Sequence, residues 1–211
     1  MTKKKVSIPE KNIDDILKRH VYWAVGAGLI PVPIFDIAAV SAIQLDMLKQ
    51  ICTYYKIDYS EETGKAWISA LVSSSMSSII SRIGASAVKT IPVVGTVVGA
   101  ASMAVLSGAS TYALAKVFIN HFEDGGTLNN LDKEKIKSFY NEKIKEGKKV
   151  AKNLKDKYLN LLETPEGKEK ERKLGKRVKE LEDLKKSGKI TETEYKKRYK
   201  EIMKSLMSDN Q

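Results

Sequence analysis

Residues 90–115 read TIPVVGTVVGAASMAVLSGASTYALA, a run of 26 uncharged residues between Lys89 and Lys116. About 20 apolar residues allow a helix to cross a bilayer, so this run is long enough to be a membrane span. Glycine, alanine, serine and threonine make it only mildly hydrophobic, however, and the buried central helix of a bundle has the same pattern. The sequence leaves both interpretations open.

Most of the charge lies on the C-terminal side of this run. Residues 1–131 carry 12 Lys or Arg and 10 Asp or Glu, whereas residues 132–211 carry 25 and 16, so the net charges are +2 and +9. This change in composition predicts an apolar helical, membrane-associated domain over 1–131, a charged helical linker over 132–164 and a helical hairpin over 165–211.

The chain lacks the residues on which most catalytic and metal sites depend. It has one cysteine, Cys52, and two histidines, His20 and His121. These numbers exclude a disulfide framework and most metal-ligand sets. We therefore predict that the protein is not an enzyme and has no catalytic, metal or cofactor site. Cys52 is expected to be a small core residue, and both histidines are expected at helix boundaries.

Capping residues and apolar periodicity predict an all-α fold. The first helix is expected over about 10–26, and Pro31 and Pro33 then interrupt the chain. A second helix follows over 35–55, where apolar residues recur at three- and four-residue steps. A third is expected over about 61–87. The last apolar helix is expected to open at Thr90 and Pro92 and to run toward Phe118.

Small residues repeat along the two apolar helices. A stripe of serines occurs every four residues in the third helix, and glycines occur at four-residue spacing in the long uncharged run. Small residues at this spacing let helix backbones approach closely, so we predict a role in helix packing or membrane insertion. The residues assigned to this role are Ser69, Ser73, Ser77, Gly95, Gly99 and Gly108.

The charged half of the chain predicts three further helices. Residues 132–162 are rich in lysine and glutamate, and Thr164 with Pro165 restarts a helix that ends near Ser187-Gly188. Thr191 and Glu194 then have the spacing of a capping box at the start of the last helix.

Two segments carry a family resemblance. The first is GLIPVPIFD over 28–36, followed by Gln44, and the second comprises IPVVGTVVG over 91–99 and GASTYALAKVFINHFEDGG over 108–126. Together they resemble the YcjF-type, GTPase-associated family of unknown function. The resemblance implies a membrane-associated bacterial domain that works with a Ras-like GTPase, although this chain has no P-loop of its own. Its family-like motif residues here are Pro31, Pro33, Asp36 and Gln44.

Residues 181–206 are similar to the short C-terminal domain called SHOCT. This resemblance implies a small helical hairpin that mediates assembly, so a homo-oligomer is expected.

Asp36 is an isolated carboxylate in apolar sequence. In a bilayer an ionisable group would be a functional candidate, whereas a position just after Pro33 favours a helix cap. The cap is the interpretation that we favour. Gln44 and Asp46 could join Asp36 in one polar cluster, although such residues more often bond to neighbouring backbone groups or to water.

The basic C-terminal half has the pattern of ordinary solvated helices, and an anionic lipid surface is the partner that we prefer if the charge has a function. Clustered lysines also attract nucleic acid, but here they alternate with glutamates and no nucleic-acid motif accompanies them, so we do not expect that partner. Residues 6–18 lack the apolar stretch of a signal peptide. Lysines on both sides of the apolar region place both termini in the cytoplasm, at the cytoplasmic face of the bacterial inner membrane.

Three functions remain open at this point. The first is a non-enzymatic, membrane-associated helical module that anchors or responds to a partner, in particular a separately encoded GTPase. The second is a soluble all-α assembly or interaction protein. The third is a membrane-perturbing protein that inserts the helical hairpin formed by residues 67–87 and 90–118, although Arg82 and Lys89 near its turn oppose deep insertion.

Overall fold

The computed structural model describes residues 12–29, 35–83 and 97–208, and every regular element in these ranges is an α-helix. The predicted all-α class is therefore confirmed. The helices are α1 (Ile13–Leu29), α2 (Phe35–Tyr55), α3 (Glu61–Ile83), α4 (Val97–Glu123), α5 (Lys133–Leu162), α6 (Pro165–Lys186) and α7 (Glu192–Ser208).

The ends of α6 and α7 lie where their capping residues predict them. The Thr164 hydroxyl accepts a hydrogen bond from the amide of Gly167 at 3.0 Å, and the Thr191 hydroxyl accepts one from the amide of Glu194 at 3.2 Å. Gly188 follows α6 with a φ of 71°, a left-handed conformation that favours glycine. Local chemistry therefore fixes the boundaries of the charged helices.

The central helix is α4, which packs against α1, α2, α3 and α5. Burial inside the protein therefore explains the lack of charge over residues 103–115. Among the described residues, no helix is both long and apolar enough to cross a membrane. Residues 90–96, where the last apolar helix was expected to begin, lie outside the described ranges. Seven described side chains of α4 have no exposure at all: Ala104, Ala109, Thr111, Ala113, Leu114, Ala115 and Phe118.

The described parts of the predicted membrane-inserting hairpin also lie in this core. Ile68 and Leu71 of α3 belong to the same buried cluster as Phe118 of α4, and Leu48 of α2 joins them. These described side chains of the segments thus already contact other helices of the chain.

A second core lies under the C-terminal helices. In it α6 and α7, which we call the tail hairpin, pack against α1 and α2. The hairpin contributes Leu174, Val178, Leu181, Tyr195, Tyr199 and Ile202, each at most 6% exposed. This core joins helices from both sides of the predicted domain boundaries at residues 131 and 164. The division of the chain at these residues stays a prediction.

Candidate functional site

Glycines set the crossings between α4 and its two main neighbours. A Cβ atom added at Gly28 would lie 2.6 Å from Cα of Ala104, so α1 and α4 touch there through their backbones. A Cβ atom added at Gly147 of α5 would lie 2.7 Å from the carbonyl oxygen of Ala109. Real Cβ atoms do not approach other atoms this closely, so the helices meet at these points only because both positions are glycine.

Gly108 lies at the place where three helices meet. A Cβ atom there would lie 2.5 Å from Cγ2 of Val25 in α1 and 2.8 Å from Cβ of Ala151 in α5. This close approach is the kind of packing for which small residues are needed.

The other predicted packing and motif residues have less defined surroundings. Ser69 and Ser73 are exposed on α3, and Gly99 lies in α4. The use of this stripe and of the glycine pair for packing or insertion stays a prediction. Asp36 and Ser77 belong to described helices, but their side chains lie outside the described part. Pro31, Pro33 and Gly95 also lie outside the described residues.

Gln44 is the predicted motif residue with the best-defined surroundings. Its side chain is 2% exposed, and its Nε2 donates hydrogen bonds to Ser110 Oγ and Thr111 Oγ1, both at 3.2 Å. Ser110 Oγ lies 2.9 Å from the hydroxyl of the buried Tyr140. Because these side chains lie inside the core, each hydrogen bond avoids the cost of an unsatisfied buried polar group. The chain of bonds therefore fixes α2, α4 and α5 relative to one another.

His20 is the centre of a second polar cluster, and its predicted position at a helix boundary is wrong. The residue lies in the middle of α1 and is fully buried, because α2 covers it. Its Nδ1 donates to the carbonyl oxygen of Ile16 at 2.7 Å, and its Nε2 lies 3.2 Å from Asp46 Oδ2. Gln50 Nε2 donates to the same carboxylate oxygen at 2.8 Å.

This arrangement also separates Gln44 from Asp46, which the sequence left open as members of one polar cluster with Asp36. The two side chains project from different sides of α2, so Gln44 contacts α4 whereas Asp46 contacts α1. Sequence reasoning did not pair His20 with Asp46, because the two residues are 26 positions apart. The apolar residues one helical turn away from His20, at positions 16, 17, 23 and 24, were the only signal of its burial.

The pKa shifts of His20 and Cys52 argue against a catalytic role for either side chain. Burial is the largest influence on His20 and lowers its pKa below 6.5, while the hydrogen bond to Asp46 acts in the opposite direction. Burial raises the pKa of the Cys52 thiol to about 11, so the reactive thiolate is scarce at neutral pH. No group of three or more potential metal-binding side chains occurs among the described residues.

His121 does lie at a helix boundary, as expected. It belongs to the last turn of α4, and its Nε2 lies 3.0 Å from both the carbonyl oxygen of Thr127 and Oδ1 of Asn130. The side chain therefore holds the turn that leads from α4 to α5.

The surface of α5 carries a compact group of cations. Lys145, Lys148, Lys149 and Lys152 are all exposed and lie on one side of the helix, because their spacing follows two helical turns. We call these four residues the α5 lysine face. None of them forms an ion pair with another described residue, whereas the neighbouring Lys143 lies 2.7 Å from Glu146. The face therefore presents about four uncompensated positive charges to an external anion.

Comparisons with known proteins place residues 10–149 in one family. A model described as "Domain of unknown function (DUF697)" matches these residues. Magnetosome membrane protein 22 of Magnetospirillum gryphiswaldense is 36% identical over 143 residues, which is 67% of this chain and 73% of the relative. No solved structure matches the chain.

Proposed function

Because the chain belongs to the DUF697 family, we propose that it is a non-enzymatic, membrane-associated helical module that anchors or responds to a protein partner. The observation that carries the proposal is the similarity to a protein whose name places it in a membrane. The buried state of His20 and Cys52 supports a non-enzymatic role, because neither side chain is open to a substrate.

Surface attraction is the means of association that the described structure supports best. The α5 lysine face offers four cations, and each basic residue close to an anionic membrane contributes roughly 1 kcal/mol. Such attraction is strong enough to hold a protein at the cytoplasmic face of the bacterial inner membrane, and screening by salt weakens it.

The partner that we propose first is a separately encoded GTPase. The support is the resemblance of residues 28–36 and 91–126 to the YcjF-type, GTPase-associated family. A purified candidate GTPase should bind the chain with an affinity that differs between its GTP-bound and GDP-bound forms. Equal affinity in the two forms would remove the GTPase from the proposal without affecting membrane association.

Vesicle sedimentation tests the lipid part of the proposal. The full chain should sediment with vesicles that contain phosphatidylglycerol, and much less with vesicles of pure phosphatidylcholine. Changing Lys145, Lys148, Lys149 and Lys152 to glutamine should abolish most of this binding.

The matched control removes four exposed lysines from the near-neutral half of the chain: Lys18, Lys49, Lys56 and Lys65. These substitutions change the net charge by the same amount. If both variants lose the same fraction of binding, net charge and not the α5 lysine face attracts the protein.

The second candidate function is an all-α assembly protein. Burial of α4 in the bundle favours it, because the apolar run then needs no lipid. The resemblance of residues 181–206 to SHOCT supports the proposal that the tail hairpin mediates assembly. Light scattering on the detergent-free full chain, together with the vesicle assay, distinguishes the candidates. A defined oligomer that binds neither kind of vesicle would favour assembly.

A further inference from the structure

One face of the α1–α2 pair packs against the tail hairpin. We call it the covered face, and at its edge the guanidinium of Arg19 lies 5.4 Å from the centre of the Trp23 ring. Its residues are Trp23, Ala24, Ala27, Ala39, Val40 and Ile43, each at most 9% exposed. The family match ends at residue 149, so the covered face belongs to the family domain whereas the hairpin over it is an addition.

The contact between hairpin and face leaves buried polar atoms unsatisfied. Nε1 of Trp23 and Oε1 of Glu182 have no hydrogen-bond partner among the described residues. Glu182 is only 6% exposed, and its other carboxylate oxygen lies 3.5 Å from Nζ of Lys186. Burial raises the pKa of this carboxyl group. Each unsatisfied group opposes docking, because it loses bound water without gaining a partner.

The tail hairpin has internal contacts that can hold it together away from the face. Nζ of Lys185 lies 2.5 Å from Oε2 of Glu192 and 4.9 Å from the ring centre of Tyr195. Only residues 163 and 164 separate the hairpin from α5. These internal contacts would let the hairpin leave the face without separating α6 from α7.

A lipid surface is the partner that fits the covered face once the tail hairpin has left it. The sequence that joins α1 to α2, LIPVPIF over 29–35, is entirely apolar. Residues 165–208 carry 15 Lys or Arg and 9 Asp or Glu, a net charge of +6 that anionic headgroups attract.

We propose that the covered face is a lipid-binding surface and that the tail hairpin is its cover, which an anionic membrane draws away. This inference rests on the proposed membrane association and adds to it the surface that enters the lipid. The α5 lysine face brings the protein to the membrane, and opening of the hairpin then lets Trp23 reach the acyl chains.

Trp23 is itself the reporter for the test. The chain has two tryptophans, so a Trp67→Phe background leaves Trp23 as the only one. Without vesicles, acrylamide should quench its fluorescence weakly. With phosphatidylglycerol vesicles that contain brominated acyl chains, the fluorescence should shift to shorter wavelength and be quenched by the lipid.

Two hairpin variants should move this signal in opposite directions. Val178→Asp places a charge at a fully buried position of the contact, so the hairpin should open and lipid quenching should rise several-fold. Glu182→Gln removes a buried charge, so the hairpin should hold more tightly and quenching should fall. Thr193→Asp, which adds the same charge at an exposed position of α7, is the control and should have no effect.

The outcomes separate this inference from the proposed function. If the chain sediments with the vesicles but Trp23 is never quenched by the lipid, or if Glu182→Gln leaves the quenching unchanged, the cover is overturned and membrane association stands. Failure to sediment at low salt overturns both. Circular dichroism shows whether Val178→Asp remains folded, and the Glu182→Gln result decides the question if it does not.

Discussion

The protonation state of His20 is set by the buried groups around its ring. A neutral ring can donate from Nδ1 to the carbonyl oxygen of Ile16. The other ring nitrogen, Nε2 of His20, can then accept from the side-chain amide of Gln50, whose nitrogen is 3.4 Å away. A protonated ring would instead donate from Nε2 to Asp46, but it would carry a charge in a fully buried position. The cost of burying that charge is larger than the gain from Asp46, and the neutral ring is therefore the stable form at neutral pH.

The first prediction concerns the pH dependence of stability. The pKa of His20 is lower in the folded chain than the unfolded value of 6.5. As the pH falls through about 6.5, the unfolded chain takes up the proton first, so the free energy of unfolding decreases. Urea unfolding between about pH 7.5 and about pH 5.5 should show this loss.

The control for this prediction uses the other histidine. His20→Gln should flatten the pH dependence, whereas His121→Gln should retain it. A loss of stability that persists in His20→Gln would assign it to another group. Glu182 cannot produce the loss, because a carboxyl group with a raised pKa favours the folded chain as the pH falls.

The second prediction tests the close approach at Gly108. Gly108→Ala forces Ala151 and Val25 away, and overpacking of this kind costs about 1–3 kcal/mol. Gly175→Ala is the matched control: a Cβ atom there has no neighbour within 4 Å, so helix propensity should stabilise the chain by about 0.5–1 kcal/mol. Denaturant midpoints should therefore shift in opposite directions, and a stabilising Gly108→Ala would contradict the packing argument.

At the scale of the helices, the third prediction concerns the start of α7. Thr191→Ala removes the hydroxyl that accepts from the amide of Glu194, which should cost about 1 kcal/mol of helix stability. Thr193→Ala is the control, because Thr193 is exposed and lies beyond the cap. Amide exchange within α7 should accelerate for the first variant only.

The helices could be predicted from the sequence wherever the signal is local. The second helix was predicted over 35–55 and has those bounds, and the caps at Thr164 and Thr191 were read directly from residue types. The first helix was expected from about residue 10, whereas the structure describes it from Ile13.

The sequence contains no comparable local signal for the contacts between helices. Gln44 was identified as a motif residue, but its partners Ser110 and Thr111 lie 66 and 67 positions away. The tail hairpin was predicted, whereas its docking on α1 and α2 depends on how the helices pack in space. Capping and periodicity report on one helix at a time, and they do not say which helix covers another.

At the scale of the whole molecule, the fourth prediction is a gradient of protection against hydrogen exchange. Amides at the centre of α4 should be the slowest, because they exchange only when the core opens. Amides of α6 and α7 should be faster, since their contact with the domain contains unsatisfied polar atoms. Mass spectrometry of exchange in the full chain measures both. Equal protection of α4 and α7 would mean that the molecule opens as one unit.

The unbroken course of α5 also limits which lengths of this helix keep the architecture. The helix runs from Lys133 to Leu162, past residue 149 where the family match ends. Successive residues of an α-helix turn by about 100° and rise by about 1.5 Å. One residue inserted after Tyr158 would therefore swing the tail hairpin through more than a quarter of a circle. Insertions of four or seven residues would bring the hairpin back to within about 40° and about 20° of its original direction, so only a few lengths of α5 keep the present arrangement.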